Sequence, residues 1–365
     1  MQSLVQQRSL ALRRPFRTSG WVLTQRDILL FSLHDHERGL SGWGESAPLP
    51  SFGTEKYSDS HHALEAAVLA FSRLKEIPSR GLPDIDALIP ALRDAPAARY
   101  AVECALLDLQ SRMNGVSMAE TLGGIQQPRI AVNITIGAGS AAEAAAAAET
   151  AWREGYSCLK LKVGKGTLEE DVERIRAVRL AVPENMLLRL DANGAYDFEQ
   201  AEAALREFAM YDIDYIEQPV PVGADDELAA LTGLRIISIA ADESAQNLTQ
   251  ARRLLERRAV DLFVVKPMAA GGLIDCRRFA LEAAGQGCDV VFTSLIDSSV
   301  GRQAAAQLCA SLPDSPRHHG LATGALFLED THRDDIAQGC FILPEGAGLG
   351  FTLPHPADSE ESEDA

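Results

Sequence analysis

CLKLKVG (158–164), LLRLDAN (187–193), YIEQP (215–219), ISIAADES (237–244) and LFVVKP (262–267) are five short apolar runs, and each ends in charge. Lys160 and Lys162, Asp191, Glu217, Asp242 and Lys266 stand at those ends, and the steps from Lys162 onward are 29, 26, 25 and 24 residues. One strand with its return helix takes about 30 residues. The rhythm therefore predicts parallel strands of a barrel, each placing a charged group at the same rim, where such barrels carry their function.

The same alternation extends outward. RIAVNITIG (129–137) reads as the first strand, CDVVFTSLIDS (288–298) as the seventh and GLATG (320–324) as a weak eighth with no periodic helix after it. A helix over 141–155 is stopped by Gly155, and Thr167 with Glu170 forms a capping box for the next. Val172, Ile175, Val178 and Val182 give that helix an apolar stripe. Asp197 opens another, with Ala201, Ala204, Leu205 and Phe208 facing inward, and later helices are expected over 226–232, 248–258 and 272–285. Before the barrel, residues 20–50 read as strands and 58–76 and 95–115 as helices, the order of an α+β unit. The closing run CFILPEGAGLGFTL (340–353) is expected to rejoin that unit. The domains expected are a cap over 1–127, a barrel over 128–324, a segment returning to the cap over 325–354 and an acidic tail over 355–365.

With 365 residues, 46% of them apolar, the chain can build a large core. No run reaches the ~18 apolar residues of a membrane span. The first residues, MQSLVQQRSLALRRPF, alternate like a strand and lack the apolar centre of a secretory leader. Six scattered cysteines without a CxxC read as reduced thiols, so a cytoplasmic protein is expected. A net charge of −18 argues against nucleic acid and anionic membranes as partners and leaves a small molecule, with homo-oligomers open. Five of the acidic residues lie in the tail ADSEESEDA, which has nothing to bury and is expected to be disordered.

Counting 129–137 as the first strand puts Lys160 and Lys162 on the second, Asp191 on the third, Glu217 on the fourth, Asp242 on the fifth and Lys266 on the sixth. Residues two apart on a strand share a face, so both early lysines point into the barrel. In a ring of eight, the second and sixth strands are opposite, which sets amines on both sides of three adjacent carboxylates. Converging carboxylates call for a cation among them, and an all-oxygen set suits Mg²⁺, with Mn²⁺ as a substitute. Such an ion would stabilise charge on a substrate carboxylate as its α-proton leaves. A lysine, ordinarily protonated near pH 7, could become the base through burial and nearby cations.

The KxK of LKLKVG, the DAN of RLDANGAY, the EQP of YIEQP, the DES of AADES and the KP of VVKPMAAGG together resemble the enolase superfamily and its muconate lactonizing subgroup. The resemblance runs from about 15 to 352 and implies a (β/α)7β barrel, a modified TIM barrel, under an α+β capping domain. It implies Mg²⁺ on Asp191, Glu217 and Asp242, acid–base work by Lys162 and Lys266 with Lys160 beside them, and outer partners at Asn193 and Glu243. Within the subgroup, GWGESAPLPSFGTE (42–55) is similar to the mobile capping loop of the o-succinylbenzoate synthases, and TSLIDSSVG (293–301) to their seventh strand, with Asp297 where that group commonly has Glu. That likeness implies a dehydratase of menaquinone or phylloquinone synthesis acting on a succinyl-hydroxycyclohexadiene carboxylate. It places Phe52 near the succinyl arm and Thr293 and Ser294 near the carboxylate. The alternatives are N-succinylamino acid racemisation and dipeptide epimerisation, and, in another class, a non-catalytic scaffold. Dipeptide epimerases usually carry an Asp-x-Asp near the last strand, and HGLATGALF (319–327) has none.

Overall fold

The computed structural model describes residues 1–17, 22–124, 127–313 and 317–354; the acidic tail expected at 355–365 lies outside the described residues. The chain opens with three antiparallel strands, β1 (Gln2–Arg17), β2 (Val22–Asp35) and β3 (Leu40–Ser46). Helices α1 (Tyr57–Phe71) and α2 (Pro96–Asn114) cover this sheet. The glycines of the GWG run allow α2 to lie directly on β3. A Cβ at Gly44 would meet Ala101 O at 1.9 Å, and one at Gly42 would meet Ala105 O at 2.2 Å. Between them Trp43 is buried, and its backbone N–H donates to Asp108 Oδ2 at 2.9 Å.

The run expected as one first strand, 129–137, is broken in two. β4 (Arg129–Ala131) leaves the barrel and pairs antiparallel with the late strand Cys340–Ile342; only β5 (Ile134–Ile136) enters the parallel sheet. That sheet continues through β6 (Cys158–Lys162), β7 (Leu187–Asp191), β8 (Ile213–Glu217), β9 (Ile239–Ala241), β10 (Leu262–Val265) and β11 (Asp289–Phe292), neighbours in chain order. The intervening helices are α3 (Ala141–Arg153), α4 (Leu168–Ala181), α5 (Phe198–Phe208), α6 (Asp225–Leu234), α7 (Leu248–Glu256) and α8 (Leu273–Gly285). Capping boxes open α3, α4, α5 and α7, that of α4 being Thr167 with Glu170. After β11 comes α9 (Ser299–Ala310), which sequence reading did not mark. Every residue of α9 is buried, including Ser299, Arg302, Gln303 and Gln307, so its polar residues do not mark a solvent-facing side.

Two residues close the ring. His319 bridges to Val132 beside the first strand, and Gly320 bridges to Thr293 beside the seventh. The eighth strand thus sits one residue before the expected 320–324, and Gly324–Leu326 is a short 3₁₀ turn. Gly320 admits no side chain, since a Cβ would lie 2.4 Å from Thr293 Oγ1. His319 adds a side-chain contact: Phe292 N–H donates to its Nδ1 at 3.0 Å, and the two rings stack. Strands β12 (Asp335–Ala337) and β13 (Cys340–Ile342) then pair with each other and with β4. Residues 327–328 meet Ala11 and Leu12 of β1, and 348–352 bond Val116, Met118, Asp108 and Arg112 of the cap. Among the described residues no helix is long and apolar enough to cross a membrane. All six cysteines are free thiols.

His319 gives the fold a pH signature. Burial, with the nearby Arg189 and His318 charges, lowers its pKa to about 3 from an ordinary 6.5. The unfolded chain therefore takes the proton first. Stability from this group is complete above pH 6.5 and drains as pH falls toward 3, at about 1.4 kcal/mol per unit. His319→Asn retains an acceptor for Phe292 N–H but does not titrate. Urea unfolding at pH 7, 6 and 5 should show the variant losing less stability on acidification than the parent; parallel losses would refute the assignment.

Candidate active site

Register brings the charged strand ends to one level. Lys162 pairs with Asp191 across β6–β7, and Asp191 pairs with Glu217 across β7–β8. Asp242 and Lys266 follow directly on β9 and β10. One layer deeper, Lys160 pairs with Arg189, whose guanidinium lies 4.7 Å from the Tyr215 ring centre. Backbone contacts fix the end of β6. Arg174 donates to Lys162 O at 3.3 Å, and the Asp171 carboxylate accepts Gly164 N–H at 2.8 Å where the chain turns at φ +75°.

The three lysines contact the three acids. Lys160 Nζ lies 3.0 Å from Asp191 Oδ2 and 3.1 Å from Glu217 Oε1. Lys162 Nζ donates to the same Asp191 oxygen at 2.6 Å and to Asn193 Oδ1 at 2.8 Å. Lys266 Nζ pairs with Asp242 Oδ1 and sits 3.8 Å from the centre of the Phe52 ring. Asn193, at φ +47°, uses its backbone N–H on Asp191 Oδ1 and its amide nitrogen on Glu243 Oε1 at 2.9 Å. Lys162, Asn193 and Glu243 therefore form one hydrogen-bonded chain.

Electrostatics separate the acids. Burial, with the Asp191 charge, pushes Glu217 up to about 8 against the pull of Lys160. Burial also raises Asp242, with Lys266 opposing. For Asp191 burial acts upward as well, but the Lys160 and Lys162 ammonium groups outweigh it and hold its carboxyl well below the usual range. Burial would discharge Lys160, yet Asp191 and Glu217 prevail and keep it firmly protonated. In this arrangement Lys160 is a fixed cation rather than the neutral amine that burial alone would give.

The acids are turned toward the ammonium groups, and among the described residues no three His, Cys, Asp or Glu side chains form a ready metal cluster. The donor chemistry nevertheless fits a hard divalent ion. Asp191, Glu217 and Asp242 offer only oxygen. Burial together with its acidic neighbours drives Glu217 toward protonation, and among the described residues buried Glu243 Oε2 has no hydrogen-bond partner.

The three residues expected to touch substrate make the following contacts within the protein. Thr293 Oγ1 donates to Gly320 O at 3.0 Å and so helps to close the barrel. Ser294 Oγ is 2.7 Å from Thr323 Oγ1. Phe52 lies against Lys266. Asp297 is buried, accepting Leu295 N–H at 2.7 Å within its own loop. Sequence reading missed Gln218, which sits at φ +41°, accepts the backbone N–H groups of Asp242 and Ser244, and donates to Val220 O and Ser244 Oγ. It sets the turn of Glu217 against that of Asp242. Its position between Glu217 and Pro219 was a visible signal, but a neutral amide carries no charge rhythm.

Residues 143–357 match the family described as enolase C-terminal domain-like. The chain is similar to L-Ala-D/L-Glu epimerase of Bacillus subtilis, 33% identical over 83% of this chain and 82% of that protein. It is similar to N-succinylamino acid racemase of Thermus thermophilus, 32% identical over 95% of this chain and 93% of that protein. Its fold matches the dipeptide epimerase of Methylococcus capsulatus, solved with Mg and the dipeptide L-Arg-D-Lys, with a TM-score of 0.86 and 29% identity over 95% and 98% of the two chains. These three are two epimerases and a racemase; none is an o-succinylbenzoate synthase.

Proposed function

Because the chain belongs to the enolase superfamily, we propose that it inverts the α-carbon of an N-acylamino acid, as a racemase or epimerase of the muconate lactonizing subgroup. The observation that carries this reading is the placement of Lys162 and Lys266 at the ends of β6 and β10, four strands apart in a ring of eight, with three acids at the ends of the strands between. One amine removes the α-proton and leaves its electron pair in the carboxylate π-system; the other delivers a proton to the opposite face. The reverse reaction exchanges their roles. Lys160, held charged, stabilises the developing oxyanion. Asn193 and Asp191 fix the Lys162 nitrogen while it waits for the proton.

Mg²⁺ held by Asp191, Glu217 and Asp242 would supply Lewis acidity toward the substrate carboxylate. Asp242→Asn is then expected to weaken Mg²⁺ binding at least as much as loss of an outer partner does, about 10–100-fold. Isothermal titration checks this, and unchanged affinity removes Asp242 from the ligand set.

An N-succinyl or comparable acyl arm without a free amine is favoured, since 319–327 lacks an Asp-x-Asp to hold an amino group. Dehydration of a succinyl-hydroxycyclohexadiene carboxylate could use the same Lys162. Its support lay in the 42–55 and 293–301 stretches, and the Asp297 carboxylate of the second faces its own loop. Polarimetry with N-succinylamino acids and dipeptides, beside an ultraviolet assay for dehydration, tests the choice. Racemisation of N-succinyl substrates is the expected result; dehydration alone overturns it.

A further inference from the structure

The three site lysines are not held alike. Lys160 bridges two carboxylates, and Lys162 has a carboxylate and an amide oxygen. Lys266 has one carboxylate, Asp242, and the face of Phe52. Asp242 is also a proposed metal ligand, whereas the ring, packed against the core, leaves its face to the amine. An ammonium centred 3.8 Å above a phenyl face is within the range at which the ring quadrupole attracts it.

The segment that carries this ring is tied down on both sides. Pro50–Phe52 forms a 3₁₀ turn, with Phe52 N–H donating to Leu49 O at 2.8 Å. Gly53, at φ +89°, rests on Gln246 of the loop after β9, where a Cβ would come 2.8 Å from Oε1. Leu49 N–H donates to Thr54 Oγ1 at 2.6 Å. Before the turn, Arg26 binds Ala47 O and Pro48 O, and Ala47 N–H meets Met268 Sδ, two residues beyond Lys266. After it, Glu55 accepts the first amides of α2, Ala97 N–H and Ala98 N–H. The stretch expected to behave as a mobile loop is thus anchored to both the cap and the barrel.

We propose that Phe52 is a positioning residue for Lys266: the capping domain aims the second amine by laying an aromatic face over it. This rests on the two-amine reading above and deepens it. Lys162 is aimed from within the barrel, through Asn193, whereas Lys266 is aimed from the cap. The two half-reactions consequently respond to different parts of the protein. A cap substitution at position 52 disturbs proton transfer on the Lys266 face alone.

This chain has six lysines, at 56, 75, 160, 162, 165 and 266, so [ε-¹³C]lysine labelling gives a spectrum of six side-chain signals. The Lys266 signal, identified by its loss in Lys266→Arg, is expected upfield through the ring current of Phe52. It should return to the ordinary position in Phe52→Leu and move upfield again in Phe52→Tyr. In ²H₂O with Mg²⁺ and each enantiomer of an N-succinylamino acid, Phe52→Leu should slow α-proton exchange roughly tenfold for the enantiomer that faces Lys266. Exchange of the other enantiomer should be unchanged, and Phe52→Tyr should restore the slowed one. An unshifted Lys266 signal in the parent, or equal slowing of both enantiomers, overturns the proposal. If the parent exchanges neither enantiomer, the racemase reading falls, while the lysine spectrum still tests the placement of the ring.

Discussion

Lys162→Ala is expected to lower the rate of α-carbon inversion by about 10²–10⁴-fold, the range commanded by a positioned acid–base group, without unfolding the protein. Its nitrogen touches Asp191 and Asn193 at the rim and supports no core packing. Lys266→Ala should lose inversion to a similar degree. The two variants differ in what survives. Each retains the amine on one face, so each should still exchange the α-proton of one enantiomer with solvent deuterium, and the two should choose opposite enantiomers. Proton NMR of each enantiomer in ²H₂O records this directly. Retained inversion in either variant, or the same enantiomer exchanged by both, removes the two-amine mechanism.

The largest effect on stability is expected from Arg26→Met. This guanidinium is 3% exposed and binds four carbonyls: Ala47 and Pro48 in the cap, Leu295 and Ile296 after β11. It joins the base of the Phe52 turn to the loop beyond the seventh strand. Ile296 is a β-branched residue at φ +58°, a conformation that persists only where its surroundings enforce it. Methionine matches much of the volume but satisfies no carbonyl. The loss of a buried, hydrogen-bonded charge should amount to about 3–5 kcal/mol, a large part of the total stability of a domain. Urea titration measures it. A change within ±0.5 kcal/mol, as surface substitutions give, would show that the four contacts do not hold the cap and barrel together.

The barrel was legible because its strands end in charge. Lys162, Asp191, Glu217, Asp242 and Lys266 mark five strand ends in a chain where buried ionisable residues need a reason to exist. The weak points are places where period fails. His319 and Gly320 close the ring with two residues, too few for any alternation, and backbone bridges and an imidazole do the rest. The first strand looked continuous because both of its halves are apolar; its break shows only in which partner each half chooses. Helix α9 is buried throughout, its polar residues Ser299, Arg302, Gln303 and Gln307 included, so it lacks a solvent-facing side. At the site, the charged groups could be listed from spacing, but not the way each hydroxyl or ring turns. Thr293 Oγ1 bonds Gly320, Ser294 Oγ bonds Thr323 and Phe52 covers the Lys266 amine, contacts that spacing does not give because loop side chains obey no repeat.

The pairing of β4 with β13 joins residues 129–131 to residues 340–342. The base beneath the first stave therefore cannot be sealed until more than two hundred further residues have left the ribosome. A nascent chain holding every catalytic group up to Lys266 still shows an open edge at β4. Pairings this remote in sequence are slow to form, and an unpaired edge exposed meanwhile invites association with other chains. Synthesis of this protein accordingly passes through a long interval in which its chemistry is assembled but its seam is open, the stage at which chaperones would be of most use to it.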